Sequence, residues 1–150
     1  VHGLEVWKSD GTAAGTVMVA DIYNPGGNSS SPTLLTNVNG TLFFRADDGT
    51  NGPELWKSNG TTAGTVLVKD INPGSGGSAP SDFTVVGSTL YFRAFDPVGG
   101  YQLWKSDGSP AGTVRVRAVR LRRKLVHARV VGAGSAANRA AHWAVYPAGR

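Results

Sequence analysis

LEVWKSDGTAAGTVMVADI, Leu4 to Ile22, returns as ELWKSNGTTAGTVLVKDI, Glu54 to Ile71, and again as QLWKSDGSPAGTVRV, Gln102 to Val116. Trp7 and Trp56 stand 49 residues apart, and Trp56 and Trp104 stand 48 apart. A fixed period of this length marks a repeat architecture, in which each unit buries its apolar sides against its neighbours. The stretches between correspond as well: NPGGNSSSPTLLTNVNGTLFFRADDGTNG (Asn24 to Gly52) aligns with NPGSGGSAPSDFTVVGSTLYFRAFDPVGG (Asn72 to Gly100). Pro25 and Pro73, Pro32 and Pro80, Phe44 and Phe92, and Arg45 and Arg93 are each 48 apart, and the extra residue of the first interval falls at Tyr23. The period ends after Val116. Asp70 predicts an acid at 118, where Ala118 stands, and Pro73 and Pro80 predict prolines where Leu121 and Ala128 stand.

Each unit reads as four short strands. Thr33 to Val38, and Phe83 to Val86 in the next unit, form the first. Asn39-Gly40 closes it with a strong tight-hairpin signal, and Gly87-Ser88 is the weaker counterpart. Thr41 to Ala46 and Thr89 to Ala94 follow, with Leu42, Phe44 and Ala46 on one face and Phe43 and Arg45 on the other. Aromatic mass on both faces predicts that both pack. Glu54 to Ser58 is the third strand and Thr65 to Ile71 the fourth, joined by a turn in which Asn59 bonds the backbone and Gly60 supplies the unusual dihedrals. Four antiparallel strands per unit predict an all-β chain, a partial β-propeller-like array of four-stranded blades. The divisions are a repeat region, 1–116, made of a half unit 1–23 and units 24–71 and 72–116, then a basic non-repeat tail, 117–150.

Composition agrees. The 150 residues are 40% hydrophobic and 9% aromatic, with 21 Gly and 8 Pro and only 17% charged, which suits strands and turns better than long helices or disorder. The length allows one domain or less. No apolar run reaches the ~20 residues of a membrane helix. Absence of cysteine excludes disulfides, thiolate metal sites and a cysteine nucleophile. The chain opens on Val1 with no charged-then-apolar leader, which is silent about targeting. The net charge of +5 divides unevenly, −4 over residues 1–112 and +9 over 113–150, where no acid occurs. The basic excess therefore belongs to the tail.

Glu-Leu-Trp-Lys-Ser-(Asp/Asn)-Gly-Thr, then Ala-Gly-Thr-Val, Asp-Ile, Asn-Pro-Gly and Thr-Leu-(Phe/Tyr)-Phe-Arg-Ala together resemble the bacterial ELW-x-x-DGT repeat family. The resemblance covers residues 1–116. It implies a secreted or cell-surface bacterial protein with propeller-like β repeats, and carries no enzymatic activity. Val6, Gln102, Asn59 and the Ser109-Pro110 pair depart from the motif. The turn also resembles the Asp-box hairpins of sialidase-type propellers, where the acid braces the turn. About ten strands do not close a ring of 4–8 four-stranded blades, so the chain is expected to be a piece of a longer array or to stack on other copies.

Trp7, Trp56 and Trp104 read as packing between blades, with a ring of sugar-stacking platforms as the alternative. Asp10-Gly11, Asn59-Gly60 and Asp107-Gly108 read as braced turns. Calcium wants several carboxylates from one loop; in the next unit Asp47 becomes Phe95 and Asp10 becomes Asn59, so no carboxylate set recurs and no metal is expected. His2, His127 and His142 miss the repeat positions and no nucleophile or paired-carboxylate motif occurs, so neither a catalytic residue nor a cofactor is expected. Glu5 and Glu54, beside Lys8 and Lys57, read as a cross-strand ion pair or a backbone brace.

The tail carries Arg120-Leu-Arg-Arg-Lys-Leu-Val126, a cluster that would attract phosphates or anionic lipid. Abrupt loss of the repeat and enrichment in Arg, Ala, Val and Gly favour instead an out-of-frame product of GC-rich coding sequence, poorly structured or partly helical. A short basic extension and polyanion binding are the alternatives. Nucleic acid and membrane are therefore not the favoured partners. The expected function is a non-enzymatic interaction scaffold, outside the cell or on its surface, with further repeats or self-association and an unidentified protein or glycan partner. A carbohydrate-binding propeller using Tyr23, Asn28 and Tyr101 is one alternative, and the inert portion of a propeller hydrolase or lyase another.

Overall fold

A computed structural model describes residues 2–24 and 27–116. The expected tail, with its Arg120–Val126 cluster, lies outside the described residues. Ten strands run β1 (Val6–Lys8), β2 (Val17–Ala20), β3 (Thr33–Val38), β4 (Thr41–Asp47), β5 (Pro53–Ser58), β6 (Val66–Lys69), β7 (Ser81–Val86), β8 (Thr89–Asp96), β9 (Gly100–Ser106) and β10 (Val114–Arg115). The described residues are all-β, without a helix. Each strand pairs antiparallel with its neighbour in sequence, giving a two-stranded sheet β1-β2 and two four-stranded sheets, β3-β4-β5-β6 and β7-β8-β9-β10.

The hairpin turns follow their glycines. Asn39 and Gly40 both take positive φ, 49° and 84°, the primed turn that matches strand twist. At the equivalent turn only Gly87 does, at 60°. The first strand of each four-stranded sheet is irregular at its start, where register slips between Thr33 and Thr36 and between Ser81 and Thr84. Leu34 and Asp82, at equivalent positions, take φ of 58° and 57° there.

Both faces of the middle sheet pack, because alternation sends a large apolar side chain each way. Phe44, Ala46 and Trp56 leave one face, with Leu42 and Leu67, and meet Val6, Val19 and Ile22 of the first sheet and its exit. Phe43, Leu55, Val68 and Ile71 leave the other and meet Leu90, Phe92, Ala94 and Trp104 of the third sheet. The core is therefore two layers, one per sheet-to-sheet interface. Phe44 and Phe92, equivalent residues, are fully buried, each contributing roughly 2–3 kcal/mol of apolar burial. Backbone approach between the second and third sheets is concentrated at their first strands, β3 and β7.

The outer faces differ. Trp56 and Trp104 are 9% and 8% exposed, whereas Trp7 is 54% exposed, because no sheet lies on its side of β1-β2 among the described residues. On the far face of the third sheet, Leu103 is 42% exposed where its equivalent Leu55 is 0%.

Candidate functional site

Three turns, between β1 and β2, β5 and β6, and β9 and β10, hold one hydrogen-bond network in triplicate. Asp10 Oδ1 accepts from the Thr12 amide and hydroxyl, Asn59 Oδ1 from those of Thr61, and Asp107 Oδ1 from those of Ser109, at 2.7–3.1 Å. Gly11, Gly60 and Gly108 stand at φ of 91°, 85° and 89° and donate to Ser9, Ser58 and Ser106. The hydroxyl pairs Ser9–Thr16, Ser58–Thr65 and Ser106–Thr113 close each turn at 2.7–2.8 Å. The glycine of Ala-Gly-Thr has its own reason: a Cβ on Gly15, Gly64 or Gly112 would collide with the side chain of Asp10, Asn59 or Asp107. Hydrogen bonds from the Thr12 hydroxyl and amide hold the Asp10 carboxyl below its usual range. For Asp107 the Ser109 amide and hydroxyl do so, with the charge of Lys57 adding to them.

The motif lysine crosses to the next unit. Lys8 Nζ donates to the Gly60 carbonyl at 2.8 Å, and Lys57 Nζ to the Gly108 carbonyl at 2.7 Å. The second and third braced turns are thus acceptors for the preceding sheet. The lysines do not pair with Glu5 or Glu54 among the described residues; both glutamates serve as backbone braces instead.

Glu5 accepts from the amides of Ile22 and Ser30 and from the Ser30 hydroxyl. Glu54 accepts from the Asn72 amide at 3.1 Å, the Ser78 amide at 2.8 Å and the Ser78 hydroxyl at 2.5 Å. Ser30 and Ser78 stand just ahead of the first strand of the following unit, and their carbonyls accept from Asp47 and Phe95 at the end of the second strand. The amides after them, Ser31 and Ala79, donate back to Leu4 and Pro53 beside the glutamate strand. Glutamate and serine therefore clasp consecutive sheets. Burial pushes the Glu54 carboxyl up to about 7, overriding the hydrogen bonds from Ser78, Asn72 and Ile71 that lower it. In the third unit Gln102 occupies this position and donates to its own turn at Gly99.

The sequence reading puts Trp7, Trp56 and Trp104 alike between blades; Trp56 and Trp104 are buried between sheets, whereas Trp7 is not, since no sheet among the described residues covers its side of β1-β2, and the serine half of the clasp is missed. The available signal was Ser30-x-Pro32 recurring as Ser78-x-Pro80. The indole N–H groups of Trp56 and Trp104 are buried without a partner.

Tyr23 and Asn28 lie on the connection from β2 to β3, and Tyr101 lies in β9. The Tyr23 ring lies against Gly49, where a Cβ would strike it, and the Asn28 backbone packs on Gly3. Tyr101 is in β9 on the third sheet, under the Arg93 guanidinium 3.8 Å from its ring and edge-on to Phe95. An open depression of ≈ 270 Å³ flanks the unpaired edge of β1, lined in part by Leu4, Trp7, Pro32 and Leu35. Among the described residues no three of His, Cys, Asp and Glu converge on a common point. No protein-family model, curated protein or solved structure matches this chain.

Proposed function

We propose that residues 1–116 are a non-enzymatic scaffold, a stretch of propeller-like stacked β-sheets belonging to a secreted or cell-surface bacterial protein and used for interaction with other molecules. One observation carries this. Wherever a neighbouring sheet is present, side chains that recur once per unit are committed to internal bonds: Trp56 and Trp104 to the inter-sheet layers, Asp10, Asn59 and Asp107 to their turns, Lys8 and Lys57 to the next turn, and Glu5 and Glu54 to the next serine. Convergence of β3 on β7, with sheet faces packed on one another, supports the radial arrangement of propeller blades.

A carbohydrate reading has one observation in its favour, the half-exposed Trp7 indole beside an apolar depression, which suits the apolar face of a sugar. A glycan array together with tryptophan quenching decides between the two. The scaffold reading expects no saturable sugar response from folded protein. A saturable quench lost in Trp7→Ala turns the assignment to carbohydrate binding, and turnover of a glycoside overturns it.

A further inference from the structure

The two interfaces inside the chain use one recipe. The face bearing Val6 and Val19, or Phe43, Leu55 and Val68, receives the tryptophan face of the sheet that follows, and a lysine from the first caps a turn carbonyl of the second. Both halves of that recipe recur, unused, at opposite ends of the stack. On the third sheet Leu103 is 42% exposed, Val114 37% exposed, Tyr91 and Val116 half-buried, and Lys105 exposed with no bond to a turn among the described residues. On the first sheet Trp7 is 54% exposed, and the Gly11 carbonyl, equivalent to those of Gly60 and Gly108, receives no lysine among the described residues. Charge matches as well: Lys105 would come beside Asp10, as Lys57 comes beside Asp107.

We propose that a second copy of this chain docks head to tail on the open face of the third sheet, laying its Trp7 face over Leu103 and taking Lys105 at its Gly11 carbonyl. This rests on the stacked-sheet reading of the fold and names the partner of that array. The occupant follows from continuity with the interfaces already present, since the surface offered is the one the middle sheet buries. A head-to-tail contact either closes a ring or propagates. Two copies bring six sheets, four of them four-stranded and two of them two-stranded, a number of sheets inside the 4–8 of closed propellers, whereas three copies bring nine. A closed pair is therefore the assembly proposed.

Analytical ultracentrifugation of the full 150-residue chain between ~1 and ~100 µM tests this, with tryptophan emission recorded over the same range. The mass is expected to double with concentration and the emission to shift blue as Trp7 leaves water. Trp7→Phe is expected to keep the doubling and lose most of the shift. Leu103→Asp and Lys105→Glu, both at exposed positions, are each expected to weaken pairing by ~10-fold or more with the melting temperature of the monomer unchanged. A monomer at every concentration, whether the face is open or covered by residues 117–150, overturns the pairing and leaves the scaffold reading intact. Doubling that survives both face variants, or a ladder of higher masses, overturns it too. Saturable sugar binding at Trp7 in a chain that also pairs overturns the scaffold reading alone.

Discussion

Glu54 sets two opposing effects against each other. Its carboxyl is fully buried and faces donors from Ser78, Asn72 and Ile71, and desolvation prevails, raising its pKa from 4.5 to about 7. The folded chain therefore keeps a proton that the unfolded chain releases near the ordinary glutamate value. Folded protein binds more protons between pH 4.5 and 7, so stability falls as pH rises through that window, by on the order of 3 kcal/mol. Glu54→Gln removes the titrating group while an amide oxygen still accepts from Asn72 and Ser78. Thermal melts from pH 5 to pH 8 are expected to show a falling melting temperature in the native chain, a flatter profile in the variant, and a variant more stable at pH 8. Parallel profiles would show that Glu54 stays ionised throughout. A backbone brace was one of the two roles the sequence offered for Glu54, but its serine partner and its burial were not read there, because Glu54 and Ser78 lie 24 residues apart in different units and meet only when the second sheet hands the chain to the third.

At the level of elements, β3 spans the residues that alternation and the Asn39-Gly40 signal marked, since a two-residue hairpin fixes both the end and the register. The ends that differ do so for visible reasons. The fourth strand was expected over Thr65 to Ile71 and runs only Val66–Lys69: the Thr65 hydroxyl is drawn back to the Thr61 carbonyl, and Ile71 turns into the core. The first strand of the last unit begins at Ser81 rather than Phe83, ahead of a slip that alternation does not encode. The connection from β6 to β7 is equally tight. Gly77 takes φ of 56°, and a Cβ there would stand 2.5 Å from the Pro53 nitrogen and oxygen, whereas Gly74, at φ of 104°, faces open space. Left-handed strain costs either alanine variant roughly 1–2 kcal/mol. Gly77→Ala must also move backbone, so urea unfolding is expected to show it at least ~1 kcal/mol less stable than Gly74→Ala. Equal losses would mean that the connection yields without cost.

Over the whole repeat region, stability adds up along a line, since each sheet packs only on the one before and the one after it. The middle sheet buries both faces, the third sheet buries its Phe92 and Trp104 face, and the first sheet, β1-β2, offers Val6 and Val19 alone to the core. Two strands are by themselves marginal in water, and the first sheet has an open face and an open edge along β1. What holds it is one layer of apolar contact, the Glu5–Ser30 clasp with the Ser31–Leu4 backbone bond, the Lys8–Gly60 bond and the Thr62 hydroxyl donating to the Val19 carbonyl. Local opening is therefore expected to begin there. Amide hydrogen exchange at concentrations where the chain is monomeric checks this: protected amides of β1 and β2 should exchange at lower opening free energy than those of β4, β5, β8 and β9. Trp56→Ala, which empties the layer between the first and second sheets, should cost ~3–5 kcal/mol and release β1-β2 before global unfolding. Trp7→Ala, at the open face, should leave the exchange order and the global stability nearly as they were. A single opening energy shared by all ten strands would instead mean that the sheets fold as one cooperative block, with coupling across the interfaces stronger than the stability of any sheet within them.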